Sequence, residues 1–484
     1  MKRIIYIAAI AACAISASAQ ISRFPNPTIK IEHDESQGTV TSYLVSDNGS
    51  NRMTRSTIEL NNDAGAVDGT ITLNTSDIRQ EIDGFGFAIT STVGYNMLKM
   101  NADQRRSLIT QIFSRDHGYG CSYVRVPIGT SDFALSEYTC CDTPGIQNFA
   151  LHHEDTQYII PILKEILAIN PAVKIISAPW TAPLWMKTNG NWTSGNLKRE
   201  YYQDYATYFV KWIQAFRSHG IDIYGVTPQN EPLNRGNSAS MFMGWDEQRD
   251  FVKTALGPAF RRAGITTKIY AYDHNYNYDN MSDQQHYPTK IYADAEAAQY
   301  FAGSAYHNYG GDASEMSYVH NANPDKELIF TEWTAGTWSW PGVGINAVTT
   351  DAKALIFNVI KNWGRGALVW NLMLDSDRGP YRPGGCSTGN GAIDISKSDY
   401  SSLTYNSFYY VMCIAASAVS DGAHYITANG GANGIDCVAF RNTDGGYGMV
   451  LLNDSDATRT ILISDGADRF TATIPAKSLA SYRW

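Results

Sequence analysis

Residues 201–230 read YYQDYATYFVKWIQAFRSHGIDIYGVTPQN. Between 201 and 218, Tyr205, Tyr208, Phe209 and Trp212 recur at the three- and four-residue spacing that lines one face of a helix. His219-Gly220 then marks the stop, because glycine enters the left-handed conformation that ends helical hydrogen bonding at little cost. From 223 onward the period changes to that of a short strand ending at Asn230, and Glu231-Pro232 follows it. A helix, a glycine stop and a strand form the repeating unit of a parallel sheet with crossover helices.

The same unit recurs in both directions. Strand-like runs stand at 82–88, 122–128, 174–180, 223–230, 267–274, 303–309, 327–333 and 367–374. Helical stretches separate them, as at 245–263, where Phe251, Val252 and Leu256 share a face and Gly264 follows. Eight such units predict a (β/α)8 TIM barrel rather than an open doubly wound sheet, and no Gly-rich dinucleotide fingerprint follows the first strand. Residues 28–75 and 405–484 instead alternate apolar and polar residues between Gly, Asn and Asp turns, with little helical pattern. The expected fold class is therefore α/β, a barrel over 79–402 with an appended β-sandwich domain built from both chain ends, 20–78 and 403–484.

Of 484 residues, 38 are Lys or Arg and 47 are Asp or Glu, a formal charge of −9, with 44% apolar and 18% charged residues. This composition fills a large core and excludes a disordered chain and a coiled coil. An acidic chain without a block of basic residues lacks the face that nucleic acid requires. Aromatic residues make up 12%, which suits either sugar-stacking clefts or a tightly packed core. Lys2-Arg3, the apolar run 4–15 and Ala17-Ser18-Ala19 read as a signal peptide over 1–19, so the protein is expected to be exported, periplasmic or secreted. The alternative uses Ile10-Ala11-Ala12-Cys13 as a lipoprotein box with a lipid anchor at Cys13. No later run is long enough to span a bilayer, and the other six cysteines show no zinc spacing and no assignable pairing.

In a barrel the chemistry sits at the C-terminal strand ends. There the sequence places Trp180, Asn230-Glu231, His274, His307 with Tyr309, Glu332-Trp333 and Trp370-Asn371. Two glutamates on one rim suit glycosidic cleavage, which needs one carboxyl group to protonate the leaving oxygen and another to meet the oxocarbenium charge. Asn230 then faces a sugar hydroxyl, Asp132 accepts from sugar hydroxyls or caps the turn at Phe133, and Trp180, Trp333 and Trp370 wall subsites or cap the core. Arg125, inside the second strand, requires a buried carboxylate and is expected to pair with a rim glutamate. His274 and His307 allow a metal-dependent alternative with a carboxylate, but no tight ligand spacing supports it, so neither metal nor cofactor is expected. A catalytically silent sugar-binding barrel is the alternative of a different class.

With these residues in view, the sequence resembles glycoside hydrolase family 30 from Gln80 onward. The resemblance rests on Gly84-Phe85-Gly86, Arg125-Val126-Pro127, Ser131-Asp132-Phe133, Ala178-Pro179-Trp180-Thr181, Asn230-Glu231-Pro232, Gln248-Arg249-Asp250-Phe251, Thr331-Glu332 and Val369-Trp370-Asn371, in that order. It implies a retaining β-glycosidase with Glu231 as acid/base and Glu332 as nucleophile, and positions that hold substrate or orient the carboxylates at Arg125, Asp132, Trp180, Asn230, His307 and Trp370. The sequence departs from the family at Ile89-Thr90-Ser91, where an Asp is common. The stretches 233–238 and 377–386 look like the bacterial β-1,6-glucanase branch, which makes β-1,6-glucan the expected substrate ahead of glucosylceramide or xylan. Tyr309 is a further candidate contact, and Asn234, Arg235, Asn237, Arg378, Tyr381 and Arg382 are expected to meet the sugar on the leaving-group side.

Overall fold

The computed structural model describes residues 38–61, 65–277, 281–339 and 344–484, so the signal-peptide and lipid-anchor readings lie outside the described residues. All eight barrel strands form: Gly84–Ala88, Tyr123–Pro127, Lys174–Ala178, Gly225–Val226, Lys268–Asn275, Gly303–His307, Glu327–Glu332 and Gly364–Val369. They pair in parallel and in sequence order, and the eighth closes against the first through Gly366–Val369 and Gly84–Phe87. The fourth is shorter than its sequence pattern, because Pro228 has no N–H to give a ladder; Thr227 and Asn230 instead donate singly to Ser177 and Pro179 carbonyls.

The barrel interior is layered. Tyr123, Ile176, Tyr270, Ala305, Ile329 and Leu368 fill one buried layer. Because strand side chains alternate, the inward positions two residues further along are Arg125, His307 and Trp370. Val124, Ile175, Phe330 and Val369 point outward into the main core beneath the helices. The helix predicted at 201–218 is Tyr202–Ser218, with Tyr205, Tyr208, Phe209 and Trp212 fully buried as its spacing requires.

Strands from both chain ends share a nine-stranded sheet: Thr39–Ser46, Arg52–Glu59 and Gly69–Glu81 join six strands between His424 and Arg483. Ser478–Arg483 lies between Thr39–Ser46 and Tyr447–Asn453, so the two termini are hydrogen-bonded into one sandwich with an apolar interior that includes Val40, Ile71, Leu451 and Phe470. One expectation fails here. Ser407–Ser417 is a helix, wedged between the barrel and the sheet. Every residue in it is buried, so it has no polar face and no amphipathic period to betray it.

Candidate active site

The fully buried Arg125 guanidinium is the hub of the barrel mouth. Nη2 donates to Asn230 Oδ1 at 2.8 Å and to Asp273 Oδ2 at 2.9 Å, and Nη1 binds Glu332 Oε2. The expected pairing with a rim glutamate is thus made, to Glu332. Burial opposes the Arg125 charge, but Asp273 and Glu332 more than offset it and raise its pKa.

Asp273 was not among the residues the sequence singled out. Strict alternation along the fifth strand turns it outward, but the register slips between Tyr272 and His274, and Tyr272 and Asp273 both adopt a φ of 74°. This bulge re-aims the carboxylate into the barrel, where Thr227 (2.7 Å), Thr331 (2.5 Å) and His307 Nε2 (3.0 Å) surround it along with Arg125. Burial works to raise its pKa, yet the Arg125 and His307 charges hold it far below the ordinary carboxylate range. The one available signal was an aspartate within an apolar strand, which demands a buried partner. A second slip, between Phe330 and Glu332, accompanies the turn of Glu332 into the same space.

Glu231 follows the fourth strand with a φ of 42°, and its N–H donates to the Asp273 carbonyl at 2.9 Å. Its Oε1 faces His307 Nδ1 at 3.3 Å and His274 Nε2 at 3.9 Å; its Oε2 accepts from Asn234 at 2.8 Å and Asn237 at 3.1 Å. Burial pushes the carboxyl up, but the His307 hydrogen bond, the charges of both histidines and Asn234 together bring it down to about 2. His307 suffers the same burial, and Glu332, Asp273 and Glu231 raise it to about 9; His274, which burial dominates, falls to about 4 and is a neutral imidazole at neutral pH. Burial raises Glu332, with the Glu231 charge adding to it while His307 and Arg125 oppose. Both Glu332 oxygens nevertheless face donors, Arg125 on Oε2 and the Tyr309 hydroxyl on Oε1 at 3.0 Å, which is the coordination of an anion.

Glu231, His307 and Glu332 each bring a potential ligand atom within 4.8 Å of the others, so a carboxylate oxygen of one glutamate lies within that distance of one on the other. A divalent ion there would meet the Arg125 guanidinium already bound to Glu332, and both His307 nitrogens already face carboxylates. The donor set therefore suits proton handling better than metal ligation.

The floor is aromatic. Trp180 and Trp370 stack with ring centroids 4.8 Å apart and planes 21° apart, and the Arg125 guanidinium lies 5.0 and 5.4 Å from the two rings. Trp192, Phe133 and Ala239 pack in the same cluster. Trp370 Nε1 donates to Asp132 Oδ1 at 3.2 Å, while the Phe133 N–H is capped by Ser131 rather than by Asp132. Burial, with Glu332 and Glu231 nearby, pushes Asp132 up to about 8. Where the family pattern has an Asp, Ser91 donates to the buried Glu154 at 2.6 Å, and Thr90 to Asn371 at 3.0 Å.

Several rim expectations are corrected. Trp333 packs edge-on against Phe408 at 5.5 Å and belongs to the core under the buried helix, not to a subsite wall. Asn234 and Asn237 hold Glu231. Arg235 stacks on Phe242, 3.6 Å from its ring, and Arg378 donates to Asn390. Arg382 is only 3% exposed and donates to Glu137, to the Ser131 carbonyl and to Ser238, tying together the loops after the second, fourth and eighth strands. Of that group Tyr381, 46% exposed, remains free to meet a sugar, and Tyr309 is 38% exposed at the mouth.

A parallel barrel whose mouth opposes two buried glutamates over stacked tryptophans defines a glycoside hydrolase, and the comparisons with known proteins agree. Residues 82–405 match the glycosyl hydrolase family 30 TIM-barrel domain and residues 422–482 the family 30 beta sandwich domain, so the chain belongs to glycosyl hydrolase family 30. It is 30% identical over 440 residues to the endo-1,6-beta-D-glucanase BGN16.3 of Trichoderma harzianum, covering 84% of this chain and 85% of that one. It is 32% identical over 459 residues to putative glucosylceramidase 4 of Caenorhabditis elegans, covering 89% and 86%. Among solved structures it superposes on the endo-beta1,6-glucanase BT3312 with a TM-score of 0.90 and 53% identity, over 92% of this chain and 99% of that one.

Proposed function

We propose that this hydrolase is an endo-β-1,6-glucanase working by double displacement, with Glu332 as nucleophile and Glu231 as acid/base. The observation that carries the mechanism is the close approach of the two carboxyl groups, a single oxygen of Glu231 lying within 4.8 Å of one of Glu332, a nearest-atom approach compatible with a retaining pair. A retaining pair stands about 5–5.5 Å apart, whereas an inverting pair leaves about 6.5–9.5 Å for a water. In the first step a Glu332 oxygen forms a bond to the anomeric carbon as the glycosidic C–O bond breaks, and the proton from Glu231 goes to the departing oxygen. In the second, Glu231 takes a proton from water, whose oxygen displaces Glu332.

The proton belongs to a pair. His307 donates through Nε2 to Asp273 and through Nδ1 faces Glu231 Oε1, so the two titrate as one pair whose proton lies on the imidazole side until a substrate alters the balance. In the empty site the imidazolium holds it beside an ionised Glu231. Arg125 and Tyr309 keep Glu332 ready as an anion. Asp132, Asn230 and the Trp180–Trp370 floor hold the sugar, with His307, Tyr309 and Tyr381 as further contacts.

The β-1,6 preference draws on the 53% identity to a structure described as an endo-beta1,6-glucanase. Catalytic efficiency on β-1,6-linked gluco-oligosaccharides should exceed that on glucosylceramide and on xylan by about two orders of magnitude, roughly 2.7 kcal/mol of transition-state binding. The first-formed product, followed by NMR, should be the β anomer. An α product rejects double displacement; comparable turnover of the lipid rejects the substrate. The reading includes an exported chain cleaved before Gln20, with its barrel over 79–402 inserted between the two sandwich parts. N-terminal sequencing of the mature protein checks the cleavage, and a lipid-modified Cys13 replaces it.

A further inference from the structure

The seven residues that begin at Glu231 fold back on its own carboxylate. The Asn234 N–H donates to the Glu231 carbonyl at 2.9 Å, and Asn234 Oδ1 accepts from the Gly236 and Asn237 N–H groups at 2.8 and 3.3 Å. This turn leaves both side-chain amides pointing N–H at one atom, Glu231 Oε2, at 2.8 and 3.1 Å. The next residue, Ser238, is gripped by the Arg382 guanidinium through its carbonyl at 2.7 Å and its hydroxyl at 3.3 Å. Oε2 is thus occupied as an acceptor, while the hydrogen-bonding and ionic partners of Oε1 among the described residues are histidine nitrogens.

We infer that Asn234 and Asn237 are positioning residues that confine the catalytic proton to Oε1 of Glu231, the oxygen shared with His307, and so aim the general acid at the departing oxygen. A carboxyl proton on Oε2 would put an O–H against two amide N–H groups, donor against donor. With Oε2 pinned, the carboxyl cannot rotate to exchange its oxygens, and the acid is presented in one orientation. The two amides also favour the ionised form and hold the acid's pKa down. This inference rests on Glu231 being the acid/base.

The charged and titratable groups that face Glu231 are His274 on the fifth strand, His307 and Tyr309 on and after the sixth, Glu332 on the seventh and Asp132 after the second. Asp273 and Arg125 act behind His307 and Glu332. None of these lies on the Asn234–Asn237 turn, so the amides can be altered with that set intact.

The test compares kcat/KM on a β-1,6-linked gluco-oligosaccharide, whose sugar leaving group needs a proton, with that on an aryl glycoside of a β-1,6-linked glucose disaccharide, whose acidic phenol does not. Asn237→Ala should lower the first by about tenfold, a part of what a positioned acid contributes, and leave the second within about twofold. Asn234→Asp keeps the turn's Oδ1 acceptor but sets a like charge on Oε2. It should move the alkaline limb of kcat/KM upward by about one pH unit, because the acid then holds its proton longer. Equal loss on both substrates with an unmoved alkaline limb, in protein with wild-type thermal unfolding, means a merely structural turn and overturns the inference; so does wild-type behaviour of both variants. If the Ala variant fails to fold, the Asp variant's pH limb decides alone. Glu231→Ala separates the two readings. If it loses both substrates alike, the acid/base assignment has failed; if it spares the aryl glycoside while the asparagine variants show no leaving-group dependence, only this inference has.

Discussion

At the bottom of the barrel Asp83 receives Lys174 at 2.6 Å, Tyr224 at 3.0 Å and the Arg365 fork at 3.0 and 3.1 Å, and Glu327 receives Lys268 and Tyr270 at 2.6 to 2.9 Å. At the top, one guanidinium, that of Arg125, reaches Asn230, Asp273 and Glu332 together, while Glu231 faces His307. Both networks join ends of strands far apart in sequence. The lower one is balanced, since Lys174, Lys268 and Arg365 serve Asp83, Glu327 and also Glu81, which lies 3.6 Å from Lys174 and 3.4 Å from Arg365, so every acid there has a cation. In the upper one the carboxylates of Asp132, Glu231, Asp273 and Glu332 outnumber Arg125 and His307, so one proton stays mobile and Asp132 is pushed up. An ionic network with matched charges fastens a barrel; one short of cations does acid–base chemistry, and separating the two lets one end be strained without loosening the other.

The sharpest division should appear with Glu332→Ala. Its kcat/KM should fall by about 10⁴-fold or more, since the covalent step is lost, while the thermal midpoint stays within about 2 °C. Asp83→Ala should do the reverse, costing about 3 kcal/mol of stability by chemical denaturation because buried cationic groups lose their partner. Its turnover per folded molecule should remain that of the wild type. A large activity loss there would break the comparison.

Asp273→Asn probes the place where the two roles meet. Its carboxylate supports Arg125 and His307 without touching substrate, so kcat/KM should fall by about a hundredfold and stability by about 2 kcal/mol. Loss of only one of these would assign Asp273 wholly to one role.

The smallest effect is in the pH dependence of stability, and the two ends should act on opposite sides of neutrality. Asp83 sits in a buried site that works against its charge, but Arg365 and Lys174 bring its pKa below the ordinary aspartate value. Its contribution is therefore present above the unfolded aspartate value and is lost as pH falls through the folded one. His307 is raised to about 9, so its contribution is full below its unfolded value near 6.5 and is lost as pH rises toward about 9. Thermal melts across pH should show the acid-side component vanish in Asp83→Asn and the alkaline-side component vanish in His307→Phe. A single variant that flattens both sides would show that the two networks are coupled.

Much of this was legible in the chain. The alternation of helix and strand in residues 201–230 and its seven relatives located every barrel strand, because burial forces period 3.6 on covering helices and short apolar runs on parallel strands. Gly and Pro marked the joints. Glu231, Glu332, Arg125 and Trp370 were readable because each ends or interrupts an apolar strand where a polar or bulky group needs a reason. The Ser407–Ser417 helix escaped because a segment buried all round has no period to read.

The tertiary structure alone decided which groups act together. Asp273 enters the site through a bulge that inverts strict alternation, and a one-residue slip of register leaves no mark in composition. Trp333 and Trp370 are alike in sequence, yet one supports the core and the other floors the cleft, because the register slip that turns Glu332 inward turns Trp333 outward, while Trp370 keeps the alternation of its strand. Arg382, Asn234 and Asn237 look like polar residues awaiting a sugar, but their partners come from distant loops or from the turn's own fold. Local pattern reports the side of an element on which a residue falls. The identity of its partners, and with it the ownership of a proton, depends on chain segments that meet only when the barrel closes.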